Sequence, residues 1–343
     1  MVDFYKRPYY NKSISYLYTK YAFKGGNIFM KLKKAIIFIL LSIFTFSLVS
    51  CGKEDEKKGS VKIGYLPITH ALPLYIEKQV EEGDIELIKF GSWPELMEAL
   101  NSGKIDGASV LVELAMKAKS QGVNIKAAAL SHREGNAVIV NEKIDSVKEL
   151  EGKTIAVPNK LSTHYILLYE MLKQENMTLN DIKITEIAPS EMAVALQEER
   201  IDGYCVAEPF GAKAVVNGNG KILKQSSDII KDSVCCTLVF RGEFIDENRE
   251  KAEEVLKKYL EAAKYLEENE DDKKVKSKEF LKVQKEVLDL SLNWINFRDL
   301  KIHKEDYERI DDYLKEMNLL DNAPSYEEFV DNSLIDGVIN DEK

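Results

Sequence analysis

The 343-residue sequence predicts an α/β fold of two βαβ-repeat lobes with mainly parallel sheets, joined by two crossing strands and followed by C-terminal helices. Three observations carry this. Short β-branched runs alternate with helix-length amphipathic segments, the signature of βαβ units. "LNSGKIDGASV" (100–110) returns as "LQEERIDGYCV" (196–206), and at that fixed offset 10 of the 28 positions from Glu95 to Gly122 are identical without a gap. "THALPLY" (69–75) and "THYILLY" (163–169) both read T-H-x-x-x-L-Y, each after a β-like run and a proline-containing loop. Two copies with so long a period do not make a solenoid. They make two related lobes.

Taken in order, residues 1–29 are polar, Tyr-rich and basic, and are read as an upstream extension that does not belong to the protein, with Met30 as the true start. Lys24-Gly25-Gly26 suits a purine-rich ribosome-binding tract just ahead of that Met. Lys31, Lys33 and Lys34 then precede the apolar or small run 35–50, which ends in "LVSC". A positive start and an apolar run shorter than the roughly 20 residues of a bilayer span predict a signal peptide over 30–51. The charged "GKEDEKKGS" (52–60) reads as a tether.

Lobe I is assigned to 61–137 and 238–343, lobe II to 138–237. In each copy a strand ("VKIGYL", "KTIAV") leads through a loop to a helix opening near the Thr-His pair, and a second strand follows ("IELIKF", "KITEIA"). Next comes a helix with apolar residues at helical spacing (Leu96, Ala99, Leu100; Met192, Val194, Ala195, Leu196), then I-D-G and a third strand. Pro73 favours a first helical position, which would leave Thr69 and His70 in the loop. Asp106 and Asp202 are read as tight-turn residues before glycine. "NAVIV" (136–140) and "CCTLVF" (235–240) are the crossing strands of a hinge. "SHREGN" (131–136) is read as a solvated loop from which His132 and Arg133 are within reach of the cleft. From about Glu243 the chain is charged and helical in pattern, with Trp294 and Phe297 on a packed face.

Charge divides along the chain. Residues 1–50 hold eight Lys/Arg and one Asp, +7, so the remainder carries −17 of the total of −10. So acidic a body excludes nucleic acid as a partner. Besides Cys51 there are three cysteines, Cys205, Cys235 and Cys236, with no C-x-x-C or Cys/His metal spacing. They are read as buried small residues, and no metal or cofactor is expected.

In open parallel sheets ligands sit beyond the carboxyl ends of the strands, against helix N-termini, and both Thr-His pairs fall there. Thr caps helices well, and a first helical turn offers unpaired N–H groups and partial positive charge. An anion gains about 0.3–1 kcal/mol there from the dipole. A neighbouring His adds a donor, and a charge if the anion lifts its pKa above about 6.5. Thr69, His70, Thr163 and His164 are therefore candidate ligand-binding residues.

"GYLPITHALPLYI", "GSWPELMEALNSGKIDGA", "STH" and "IDGYCVAEPFGAKAV" resemble solute-binding proteins of ABC importers, in the nitrate/sulfonate/taurine/bicarbonate group. The resemblance covers roughly 60–245 and implies a type II periplasmic-binding-protein-like fold closing around a small oxyanion or organosulfonate. It also implies delivery to a membrane permease and a monomeric state, with no catalysis. "LVSC" resembles a bacterial lipobox, implying lipid on Cys51 and an extracytoplasmic protein anchored to the membrane. Carried over residue by residue, it puts Trp93, Ser162, Thr163, His164 and Glu208 at the cleft. The nitrate branch has a Gly-rich "GGTH" where this chain has "KLSTH", and Trp where Phe210 stands, so nitrate itself is not carried over. Glu208 would suit the ammonium of an aminosulfonate such as taurine, or be held by Lys213, Lys160 or a His. The alternatives are a heterocyclic solute such as a thiamine-pyrimidine precursor, or an enzyme of the same fold, a pyrimidine synthase or a menaquinone-pathway dehydratase. Against an enzyme stand the lipobox, the lack of that synthase's Cys-rich run, and the absence of a Ser/His/Asp nucleophile arrangement.

Overall fold

The computed structural model describes residues 60–80 and 85–341. The extension at 1–29, the signal peptide at 30–51 with Cys51, and all of the tether except Ser60 lie outside the described residues. Among those described, no helix is long and apolar enough to cross a membrane.

The repeat seen in the sequence becomes two five-stranded sheets of matching order. The strands are β1 (Val61–Tyr65), β2 (Ile85–Lys89), β3 (Gly107–Leu111), β4 (Ile125–Leu130), β5 (Arg133–Glu134), β6 (Asn136–Val140), β7 (Thr154–Val157), β8 (Lys183–Glu186), β9 (Gly203–Ala207), β10 (Lys221–Gln225), β11 (Cys236–Arg241) and β12 (Ile295–Asn296). The first sheet runs β2-β1-β3-β11-β4 and the second β8-β7-β9-β6-β10; β5 and β12 pair alone. Three neighbours in each sheet are parallel, as βαβ units require. The fourth strand is antiparallel and comes from elsewhere in the chain: β11 joins the first sheet after the second has been completed, and β6 opens the second. Those two are the crossing segments expected from "CCTLVF" and "NAVIV".

The I-D-G motif shows why the copies kept it. Asp106 Oδ2 accepts from the Lys62 amide at 2.8 Å, and Asp202 Oδ2 accepts from the Thr154 amide at 2.9 Å. Each Asp thus fastens its strand to the start of the first strand in the same copy. Both aspartates lie in the bend just before their strand, as the Asp-Gly pairs led one to expect, while the glycines answer a different need. A Cβ on Gly107 would lie 2.6 Å from the Val239 carbonyl oxygen, and one on Gly203 2.7 Å from that of Ile139. Only hydrogen fits where the antiparallel strand crosses. Gly203→Ala should therefore cost about 1–3 kcal/mol, the usual range for overpacking. A urea midpoint unchanged from wild type would show that the crossing strand yields freely.

Alternation decides the cores. On β6, Val138 and Val140 enter one cluster with Cys205, Leu167 and Met171, while Ala137 and Ile139 enter another with Tyr204, Val206 and Met192. A sheet fed on both faces must be covered by helices on both. The helix Trp93–Asn101 buries Leu96, Ala99 and Leu100, and the helix Pro189–Gln197 buries Met192, Ala195 and Leu196. Val194 lies off that i, i+3, i+4 stripe and is 49% exposed. The long helix Arg249–Glu268 packs on the helix Leu72–Val80, and the C-terminal helix Asn332–Asp341 covers it. Phe297 joins the first core, as expected, while Trp294 leans on the second sheet's core.

Candidate functional site

Every element that reaches the site does so at a carboxyl edge. From the first sheet come the loop after β1, the residues after β3 and β4, and the start of the antiparallel β11. From the second come the loop after β7, the residue after β9 and the start of β6.

Thr69, His70 and Ala71 form one 3-10 turn after β1, and the α-helix begins at Leu72 with Pro73 behind it. His70 is fully buried. Its Nε2 lies 3.0 Å from the Gly135 carbonyl oxygen and its Nδ1 3.5 Å from Cys236 Sγ. The carbonyl can only accept, so Nε2 carries a proton, and Nδ1 faces the cysteine sulfur. Gly135 faces it because Glu134 and Gly135 are both left-handed, with φ of 62° and 80°. The Glu134 carboxylate, which accepts from the Ser226 and Ser233 hydroxyls at 2.9 and 3.1 Å, holds that conformation.

"SHREGN" is not a solvated loop. His132 and Arg133 are both buried, and the chain sends them in different directions. The His132 ring lies over that of His70, with centroids 3.5 Å apart. Arg133 turns away to Asp306, Nη1 to Oδ1 at 3.2 Å and Nη2 to Oδ2 at 3.0 Å. The loop is held inside by Asp306 of the helix Lys304–Glu316, which takes up Arg133, and by the pairing of β5 with β12. Those partners lie near the far end of the chain, where no local pattern reveals them.

Cys235 and Cys236 enter beside these rings, with their sulfurs 3.9 Å apart. One donor atom from each of His70, His132, Cys235 and Cys236 lies within 4.8 Å of all the others, and all four residues are buried. The sequence expectation of buried small cysteines without metal-type spacing holds for the spacing and misses the cluster. Burial alone would raise the Cys235 thiol; the hydrogen bond from Cys236, with His164, His132 and His70 around it, holds it well below its ordinary range. Cys236 goes the other way, raised by burial and by its neighbour.

On the opposing side, the helix Thr163–Gln174 is capped by Ser162, whose Oγ accepts from the Tyr165 amide at 3.3 Å. Thr163, the expected cap, is the first helical residue instead. Its hydroxyl donates to Glu113 Oε1 at 2.5 Å, linking the second-sheet helix to the first sheet. His164 is 1% exposed, interacts electrostatically with Cys235 and His70, and neither ring nitrogen has a hydrogen-bond partner among the described residues. The same holds for both nitrogens of His132, both polar atoms of the Asn136 side chain, and Glu113 Oε2.

Without an anion beside them, the buried His132 and His164 are held in the neutral form. Burial pushes His164 down to about 4, and burial with the His70 neighbour does the same to His132. Burial and the nearby Cys235 push Glu113 up to about 8. The site is thus a set of neutral donors, polarisable sulfurs and a protonated carboxyl at neutral pH.

Glu208 and Trp93, the other two expected site residues, are both buried. Glu208 is fully buried, and burial pushes its carboxyl up to about 7. Oε2 accepts from the Ala212 amide and the Ser291 hydroxyl, each at 3.0 Å, so an amide and a hydroxyl hold it rather than Lys213, Lys160 or a His. Its carbonyl oxygen accepts from the Thr69 amide and hydroxyl at 2.9 and 3.0 Å, a second tie across the junction. Trp93 is 3% exposed in the first core and borders a 200 Å³ cavity shared with Leu114 and Asn159.

Two α/β units of matching strand order, meeting at the carboxyl edges of both sheets around buried polar side chains, define a periplasmic-binding-protein-like fold. The chain belongs to the NMT1-like family, whose model matches residues 54–278. It is similar to the ligand-binding component of an ABC-type import system from Staphylococcus aureus, solved with zinc bound. The likeness is 39% identity with a TM-score of 0.78, covering 81% of this chain and 98% of that one. A protein of Escherichia coli K12 named for binding aliphatic sulfonates is 27% identical over 199 residues, 55% of this chain and 61% of its own. The taurine-binding periplasmic protein of the same organism is 32% identical over 143 residues, 41% and 44%. The chain spans about three-fifths or less of the length of these two curated relatives.

Proposed function

We propose that the chain is the extracytoplasmic ligand-binding component of an ABC importer, anchored through lipid on Cys51 after loss of its signal peptide. It acts as a monomer that captures a small oxyanion or organosulfonate and delivers it to a membrane permease. The units built on the two sheets are its lobes I and II. The observation that carries this reading is the group of fully buried polar atoms without a hydrogen-bond partner among the described residues, on His132, His164, Asn136 and Glu113, at the junction of two carboxyl edges. Buried polar groups are almost always hydrogen-bonded, so a polar solute is the partner they are shaped to meet. His164 and the first-turn amides of the helix Thr163–Gln174 supply donors from one side; His132, stacked on His70, supplies the other. The ties Thr163–Glu113 and Thr69–Glu208 hold the two sides together around it. Relatives named for sulfonate and taurine binding support an anion, and support capture over turnover.

The test is a thermal-shift panel on protein unfolded and refolded to strip carried-over ligand. It compares taurine, alkanesulfonates, nitrate, bicarbonate, a thiamine pyrimidine and riboflavin. A true ligand at 100 times its dissociation constant should stabilise by about 2.7 kcal/mol, and His164→Ala should abolish the shift. A shift with the heterocycles alone would overturn the anion reading.

A further inference from the structure

We propose that His70, His132, Cys235 and Cys236 form a buried four-ligand site for a soft divalent transition metal ion of the zinc class. The distances carry the proposal. A tetrahedral zinc ion with Zn–S near 2.3 Å and Zn–N near 2.0–2.1 Å sets its sulfurs about 3.8 Å apart and sulfur to nitrogen about 3.6 Å apart. The Cys235–Cys236 sulfurs are 3.9 Å apart, and His70 Nδ1 is 3.5 Å from Cys236 Sγ. All four donor atoms fall within 4.8 Å of one another. A sulfur separation of 3.9 Å is far from the roughly 2.05 Å of a disulfide bond. The pair is held at the spacing of two ligands on one centre.

The surroundings fit a ligand set as well. A metal-bound His typically gives its other ring N–H to a carbonyl or carboxylate, which fixes tautomer and orientation. The Gly135 carbonyl does this for His70, and the left-handed Glu134–Gly135 turn aims it there. His132 is fully buried with no hydrogen-bond partner on either nitrogen among the described residues. Charge closes the argument. Two thiolates and two neutral imidazoles around a dication sum to zero, so the complex can sit in a fully buried pocket without an unpaired charge. Binding releases the thiol protons to solvent.

The proposal shares His70 and His132 with the solute reading, and one experiment separates the two. The reduced protein is titrated with Co²⁺ under anaerobic conditions and followed by visible absorption, then back-titrated with Zn²⁺. The expected result is one equivalent showing intense tetrahedral d–d bands and thiolate-to-cobalt charge transfer, both bleached by Zn²⁺. Cys235→Ser and Cys236→Ser should each weaken binding by roughly 100-fold or more, beyond the usual loss on removing an outer-shell partner. Cys205→Ser, a buried thiol in the second sheet, should leave the spectrum unchanged. If the ligand variants fail to fold, X-ray absorption on zinc-loaded wild type should find two sulfurs near 2.3 Å and two nitrogens near 2.0–2.1 Å. Weak octahedral bands without charge transfer, or a zinc shell of nitrogen and oxygen alone, would overturn the site. Repeating the solute panel in a chelator distinguishes the failures. A solute shift without cobalt bands would sink the metal site and leave the solute reading, and bands without a solute shift would do the reverse.

Discussion

Arg133→Met should destabilise the protein by about 3–5 kcal/mol, the usual loss when one member of a buried ion pair is removed. The arginine is 6% exposed and grips Asp306, itself 8% exposed, through two parallel hydrogen bonds. Its Nε also donates to the Asp299 carbonyl at 3.0 Å. Methionine fills the volume and leaves the Asp306 carboxylate in a poorly solvated place where, among the described residues, Arg309 Nη2 at 3.2 Å is left to meet it. The double variant Arg133→Met/Asp306→Leu should recover most of the loss, since removing both charges removes the orphan. Urea unfolding would measure this as a midpoint shift at constant slope. A loss under about 1 kcal/mol, the range of surface pairs, would mean that Asp306 of the helix Lys304–Glu316 does not hold Arg133 in solution. Because Arg133 follows His132 directly, the same variant would also loosen the ring stack on His70.

Glu208→Gln should raise stability at pH 8 by on the order of 3 kcal/mol and change little near pH 4.5. The native carboxyl is raised from an ordinary value near 4.5 to about 7, with burial as the cause. Between those values the unfolded chain has released the proton while the folded chain keeps it. Stability therefore falls as pH rises through this window, and the loss levels off above 7. Glutamine keeps an oxygen for the Ala212 amide and the Ser291 hydroxyl and has no proton to lose. Glu113, raised to about 8, adds a slope of the same sign that both proteins share, so the difference between them isolates Glu208. If the variant were the less stable at pH 8, Glu208 would have to be ionised and paired in the native state.

The parts of this molecule that were legible in the sequence are those that local chemistry repeats. The offset between Glu95–Gly122 and its second copy marked two related units, and the structure shows them with the same strand order and the same Asp ties. The placement of His70 and His164 at a carboxyl edge was legible because a strand-loop-helix pattern puts the loop there whatever the rest of the chain does. The reason for the I-D-G glycines was not legible. It depends on β11 and β6 crossing Gly107 and Gly203. Relative to the glycine it crosses, β11 comes from far later in the chain and β6 from well before.

By itself, then, the sequence determined the α/β class, the two copies, and the edge to which the Thr-His pairs belong. Periodicity and turn chemistry are short-range properties, and both survive in one dimension. Only the tertiary structure decided that His132 is interior, that Arg133 is taken up by Asp306, that Glu208 answers to Ser291, and that Cys235 and Cys236 stand beside two histidines. Each of these joins segments that lie far apart in the chain. The contacts exist because two carboxyl edges and a C-terminal helix exclude water from the same place.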